Sequence, residues 1–148
     1  MKNPVPISFF TLFIVCSCNL LTPEVINSNS QETNLVESTS GALFVDVREL
    51  SEIKNGIIKG ANWLPTSAIN TNSKRKTSFM QKLENHKDKR ILVYCASGYR
   101  SSDFTDFLKA KGFNAFNLGG YSDAIQKGLK SHTPSPISRD DDCKSLCF

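Results

Sequence analysis

The chain has 148 residues, 39% of them hydrophobic, which suits one domain with flanking segments. A formal net charge of +4, without a recognition motif, is too small to argue for nucleic acid as a partner. The two histidines and five cysteines follow no zinc-ligand spacing, so no metal site is expected, and His86 and His132 are read as solvent-facing.

Lys2 precedes an apolar stretch at residues 7–15. A membrane span needs about 20 apolar residues, whereas the apolar core of a secretory signal takes roughly 7–15. Residues 1–17 are therefore expected to be a signal segment. The run Val15-Cys16-Ser17-Cys18 resembles a bacterial lipobox, with an aliphatic residue three places before the cysteine and a small one directly before it. That resemblance implies cleavage after Ser17, acylation of Cys18 and export to the bacterial cell envelope, with the protein anchored on the outer membrane or the periplasmic face. An ordinary cleaved signal is the alternative. Residues 18–34 are rich in Asn, Ser, Thr and Glu and read as a flexible linker.

Residues 35–130 carry the expected folded unit. Apolar runs of strand length occur at 41–47, 61–64, 90–95 and 114–118. The run ending at Cys95 is unbroken, as in a strand buried on both faces of a parallel sheet. Between them, Phe79, Met80 and Leu83 share a face of a helix over 77–85. Phe104, Phe107 and Leu108 mark a second helix, which Gly112 stops. Ser122 can cap a short third helix ending at Gly128. The basic runs Lys74-Arg75-Lys76 and Lys87-Asp88-Lys89-Arg90 flank the first helix and read as a solvated face. Alternating strands and helices predict an α/β domain with a mainly parallel central sheet flanked by helices. Residues 131–148 read as a tail. Its Cys143 and Cys147 are close enough for a small disulfide loop if the chain is exported, or are two free thiols.

The chemistry is expected at Cys95-Ala96-Ser97-Gly98-Tyr99-Arg100-Ser101, between the best strand and the best helix. The first N–H groups of a helix lack intrahelical partners and point at whatever fills the cradle. They favour thiolate over thiol and lower a cysteine pKa from its free value of about 8.5. Gly98 lets the loop turn and Arg100 adds positive charge. The bland alternative is a small buried cysteine at a strand end.

This loop resembles the six-residue active-site loop of rhodanese-family sulfurtransferases, with Cys95 first and Arg100 last. Three more segments agree in order. Val45-Asp46-Val47-Arg48-Glu49 resembles the first-strand signature. Residues 56–65 resemble the Gly-His-Ile-Pro-Gly-Ala-x-x-Ile-Pro segment, with Ile57 and Lys59 where His and Pro often stand. Leu118-Gly119-Gly120-Tyr121 resembles the turn after the last strand. The resemblance covers most of 35–130 and implies a single-domain rhodanese fold.

It also implies a thiosulfate sulfurtransferase that passes sulfane sulfur through a Cys95 persulfide. The donor is a small sulfur anion, and the acceptor is cyanide or a thiol. A sulfur-carrier protein is a further partner class, and no metal or organic cofactor is implied. Ala96, Ser97, Gly98, Tyr99 and Arg100 are expected to bind substrate, with Arg48 drawing in the donor or lying on the surface. Asp46 is expected to pair with Arg100 and brace the loop, or to cap a turn. Ser101 and Ser102 are read as helix caps, Ser101 with a secondary bond towards sulfur. Trp63 is read as core, and Gly119 and Gly120 as turn residues at the rim. Two rivals are a non-catalytic sulfur-relay or binding module and a Cys-dependent phosphatase or arsenate reductase. The latter needs one more residue between Cys and Arg.

Overall fold

The computed structural model describes residues 38–134 apart from residue 72. A four-stranded, all-parallel sheet runs in the order β3-β1-β4-β5, with β1 Leu43–Asp46, β3 Asn62–Trp63, β4 Ile91–Cys95 and β5 Ala115–Gly120. Every residue of β4 is buried, as its unbroken apolar run requires. The helices are α1 Leu50–Ile53, α2 Thr66–Asn70, α3 Lys74–Glu84, α4 Tyr99–Ala110 and α5 Tyr121–Gln126. The fold class is thus the one read from the alternation of strands and helices.

The two-residue side-chain period of the strands divides the core in two. Val45, Ile91, Val93 and Cys95 join Phe79 and Leu83 of α3 and Phe104 and Leu108 of α4 in one cluster. Tyr94 turns to the opposite cluster, with Ile53, Trp63, Ala124 and the partly buried Phe44 and Tyr121. Parallel register pairs Asp46 with Tyr94, so Asp46 shares the face of Tyr94 and not that of Cys95.

Four local expectations are corrected. Helix α3 begins at Lys74, because Ser73 Oγ accepts the Lys76 amide at 3.3 Å and caps it there. Its basic first turn is therefore not simply solvated: Arg75 stacks on the Trp63 ring at 4.2 Å, and Lys76 donates to the Ile69 carbonyl at 3.0 Å. Ser122 lies inside α5, which starts from Gly120. A two-residue strand β2, Ile57–Ile58, pairs antiparallel with β6, Ser131–His132, inside the segment read as tail. The pairing buries Ile57 and Ile58 while His132 stays exposed; His86 is half-buried.

Candidate active site

Strands β1 and β4 lie side by side in the sheet and end together, and β3 and β5 flank them. In an open α/β sheet the carboxyl ends of the strands near such a branch of the chain path form the usual ligand crevice. Cys95 closes β4, and residues 96–98 carry the chain into α4. Gly98 is the N-cap residue of that helix, with φ +95°, a conformation that disfavours any side chain. A Cβ there would also meet Gly119 Cα at 3.2 Å. Gly120 is constrained from the other side: a Cβ on it would stand 2.9 Å from the Ala96 carbonyl oxygen. The loop thus rests directly on the end of β5.

Cys95 is buried, and its Sγ accepts the Gly98 amide at 3.1 Å. The Ser101 hydroxyl lies 3.6 Å from the same sulfur. Burial pushes the thiol pKa up, but the Ser101 hydroxyl and the amides of Ser101, Ser97 and Gly98 outweigh it, so the thiol is more acidic than usual. Since the folded value is depressed, thiolate predominates above it and is lost as pH falls through it. Alkylation of Cys95 by iodoacetamide, followed by peptide mass spectrometry against pH, should therefore give a midpoint below that of an ordinary thiol. A midpoint at or above the ordinary value would mean that burial wins.

The rim residues Ala96, Ser97 and Tyr99 are exposed, Tyr99 at 77%. Arg100 reaches Glu52 through two bonds, Nη1 to Oε2 at 2.8 Å and Nη2 to Oε1 at 2.7 Å. This bond pair holds the Glu52 carboxyl below its usual range and raises Arg100. Glu52 Oε2 also accepts the Glu49 amide at 2.8 Å, so the start of α1 is tied to the helix that follows Cys95.

The expected Asp46–Arg100 brace is therefore wrong: Asp46 lies on the other face of the sheet, and Glu52 is the partner of Arg100. Arg48 is likewise not free to draw in an anion. It is 4% exposed, its Nη2 meets Asp46 Oδ2 at 2.7 Å and the Gly56 carbonyl at 2.7 Å, and its guanidinium lies 3.9 Å from the Tyr121 ring centre. Burial alone would lower the Arg48 pKa, and Asp46 together with Tyr94 and Tyr121 outweighs it. Arg48 Nη1 also lies 3.4 Å from the Glu52 carbonyl, which joins the pair to α1. Trp63 is buried, as expected, and donates Nε1–H to the Arg48 carbonyl at 2.7 Å.

Ser101 is not a cap. It sits in the first turn of α4, buried, with Oγ 2.7 Å from Asn117 Oδ1 and 3.0 Å from the Gly98 carbonyl. Glu52 and Asn117 are the site residues that sequence reading missed. Glu52 had a signal in its spacing from Glu49, a glutamate where the reciprocal N-terminal helix bond is made. Asn117 had one in being a polar residue inside an apolar strand, just before the Gly-Gly turn. Among the described residues no group of three His, Cys, Asp or Glu side chains could hold a metal ion, and no helix is long and apolar enough to cross a membrane. Cys16, Cys18, Cys143 and Cys147 lie outside the described residues.

Residues 23–127 match the family described as Rhodanese-like domain. The chain belongs to that family. The rhodanese-like fold is shared with a rhodanese-related protein from Thermoplasma volcanium, at 29% identity and a TM-score of 0.56 over 69% of this chain and 94% of that one. The protein SSP1007 from Staphylococcus saprophyticus is similar at 29% identity and a TM-score of 0.50, over 67% and 94% of the two chains. Among curated proteins, the tRNA uridine(34) hydroxylase of Enterobacter sp. (strain 638) is 30% identical over 83 residues, 56% of this chain. The matched region is only 23% of that hydroxylase, so the likeness is to one part of a longer protein.

Proposed function

We propose that the protein is a thiosulfate sulfurtransferase of the rhodanese type that works through a Cys95 persulfide. The observation that carries this reading is the Cys95 sulfur, made acidic by the Gly98 amide and the Ser101 hydroxyl inside a loop of rhodanese length. The Cys95 thiolate attacks the outer sulfur of thiosulfate. The sulfur–sulfur bond of thiosulfate breaks, sulfite leaves with its electron pair, and Cys95 carries a persulfide anion. Inward amides meet that charge as they meet the thiolate. Cyanide or a thiolate then attacks the outer sulfur, forms thiocyanate or a new persulfide, and returns Cys95 to thiolate.

The test is intact-mass measurement after thiosulfate treatment, followed by cyanide. Gain of one sulfur atom and its release as thiocyanate are expected. A persulfide gained from another sulfane donor, without thiosulfate turnover, would support the relay reading instead. Aryl phosphate is the control: phosphate oxygens need donors about 2.7–3.1 Å away around a wider ring. Hydrolysis of aryl phosphate faster than thiocyanate formation would replace the sulfurtransferase reading with the phosphatase one.

Export and lipid anchoring through Cys18 belong to the same proposal and rest on the apolar segment and Val15-Cys16-Ser17-Cys18. A Cys18→Ala protein expressed in a bacterium should leave the membrane fraction and lose the acyl mass. A natural protein whose mature N-terminus is an unmodified residue would refute the anchor.

A further inference from the structure

We infer that Asn117 is a positioning residue for the reaction, holding Gly98, whose amide donates to the Cys95 sulfur, in place against that sulfur. Register places it there. Asn117 is opposite Val93 in the parallel ladder, so it shares the sheet face of Val93, Cys95 and α4. An irregularity follows at once: Tyr94 pairs with Gly119, and Leu118 is passed over. The strand therefore presents an amide to the loop and then bends into the glycines against which the loop rests.

The amide makes three contacts with the site. Its Nδ2 donates to the Gly98 carbonyl at 2.9 Å, and its Oδ1 accepts the Gly119 amide at 2.9 Å. These two bonds fix which end of the amide is oxygen, and that oxygen takes the Ser101 hydroxyl at 2.7 Å. Ser101 has one proton to give and three acceptors in reach: Asn117 Oδ1, the Gly98 carbonyl at 3.0 Å and Cys95 Sγ at 3.6 Å. With a neutral sulfur the short bond to Asn117 holds it. With an anionic sulfur the charge-assisted bond is the stronger.

Turning the hydroxyl to sulfur orphans nothing. Asn117 Oδ1 keeps the Gly119 amide, and the Gly98 carbonyl keeps Asn117 Nδ2 and the Ser102 amide at 3.1 Å. Asn117 thus holds Ser101 only while the sulfur is neutral, competing with the sulfur for the hydroxyl proton, but through Nδ2 it holds the Gly98 residue, whose N–H lies on Sγ, in both states. The charged groups around the bowl are Arg100 with Glu52, the Asp46–Arg48 pair below the sheet and Asp123 beside Gly120. The three partners of Asn117 are neutral, so replacing it changes no charge.

The inference rests on Cys95 being the reacting group, and alkylation reads the thiolate whether or not sulfur is transferred. Iodoacetamide rates at Cys95 are measured by peptide mass spectrometry across pH for the natural full chain, Asn117→Ala, Ser101→Ala and the double variant. Added to Ser101→Ala, where no hydroxyl competes, Asn117→Ala should slow the reaction roughly 2- to 10-fold at pH 7, the worth of one neutral hydrogen bond, and leave the alkaline plateau equally fast. In the natural background the slowing should be smaller, because the freed Ser101 hydroxyl can turn to the sulfur. An unchanged pH profile when Asn117→Ala is added to a folded Ser101→Ala protein, a faster reaction there at pH 7, or effects that simply multiply would each overturn the inference. If the alanine variant does not fold, Asn117→Gln keeps a neutral amide one methylene out of place on an exposed strand position. Added to Ser101→Ala, it should cause the same slowing, and an unchanged profile there would overturn the inference.

Discussion

Cys95→Ala should reduce thiocyanate formation to the uncatalysed background and abolish the gain of a sulfur atom from thiosulfate. No neighbouring group can substitute. Cys95 is the only cysteine among the described residues, and the donors around it converge on its Sγ. The replacement removes one atom from a buried position and leaves the loop backbone, the Arg100–Glu52 bonds and the Asn117 bonds without a reason to move. The variant is therefore expected to fold with a circular dichroism spectrum like that of the natural chain. Cys95→Ser is a stricter companion, since it keeps a donor and acceptor of similar shape but not an acidic, nucleophilic sulfur. Both variants should be inert. Turnover in either folded protein at the natural rate would sink the persulfide mechanism.

The second large effect is on stability. Asp46→Ala should cost about 3–5 kcal/mol, because it strands a guanidinium that is almost wholly buried. Asp46 is fully buried and receives four contacts from Arg48: the backbone amide at 2.9 Å, Nε at 3.1 and 3.0 Å, and Nη2 at 2.7 Å. The guanidinium cannot escape to water, since the Tyr121 ring stacks on it, the Gly56 carbonyl takes a second bond from Nη2 and the Glu52 carbonyl lies beside Nη1. Small domains are stable by about 5–15 kcal/mol in total, so this is a large share. Urea unfolding reads the loss directly. Pairing Asp46→Leu with Arg48→Met removes both charges and should cost less than Asp46→Ala alone. A single-variant loss below about 1 kcal/mol, the range of exposed ion pairs, would show that the pair does not hold the fold together.

Several parts of this arrangement were legible residue by residue. The unbroken run at 90–95 announced a central strand, and the helical spacing of Phe104, Phe107 and Leu108 announced the helix after it. A cysteine and a glycine between the two located the loop. The partners of its charged residues were not legible. Asp46 seemed suited to Arg100 because both flank strand ends, yet the pairing of Asp46 with Tyr94 puts its carboxylate on the far face of the sheet. Arg48 could be read as drawing in the donor or lying on the surface, since nothing local shows that Tyr121, 73 positions later, closes over it. The pairing of Ile57 and Ile58 with Ser131 and His132 was hidden for the same reason: two-residue strands carry no periodicity.

What the amino-acid sequence by itself determined is the strand–loop–helix frame, the place of Cys95 in it and the length of the loop up to Arg100. All three follow from short-range physics: side-chain period, glycine freedom and the free amides of a helix start. Tertiary structure alone decided which groups meet that frame. Glu52 rather than Asp46 holds Arg100, Arg48 is buried as a brace, and Asn117 reaches Ser101 and Gly98. The physical reason is that strand register and side-chain parity assign each residue to a face of the sheet. A one-residue irregularity such as the one after Asn117 changes that assignment while leaving no mark in composition or spacing.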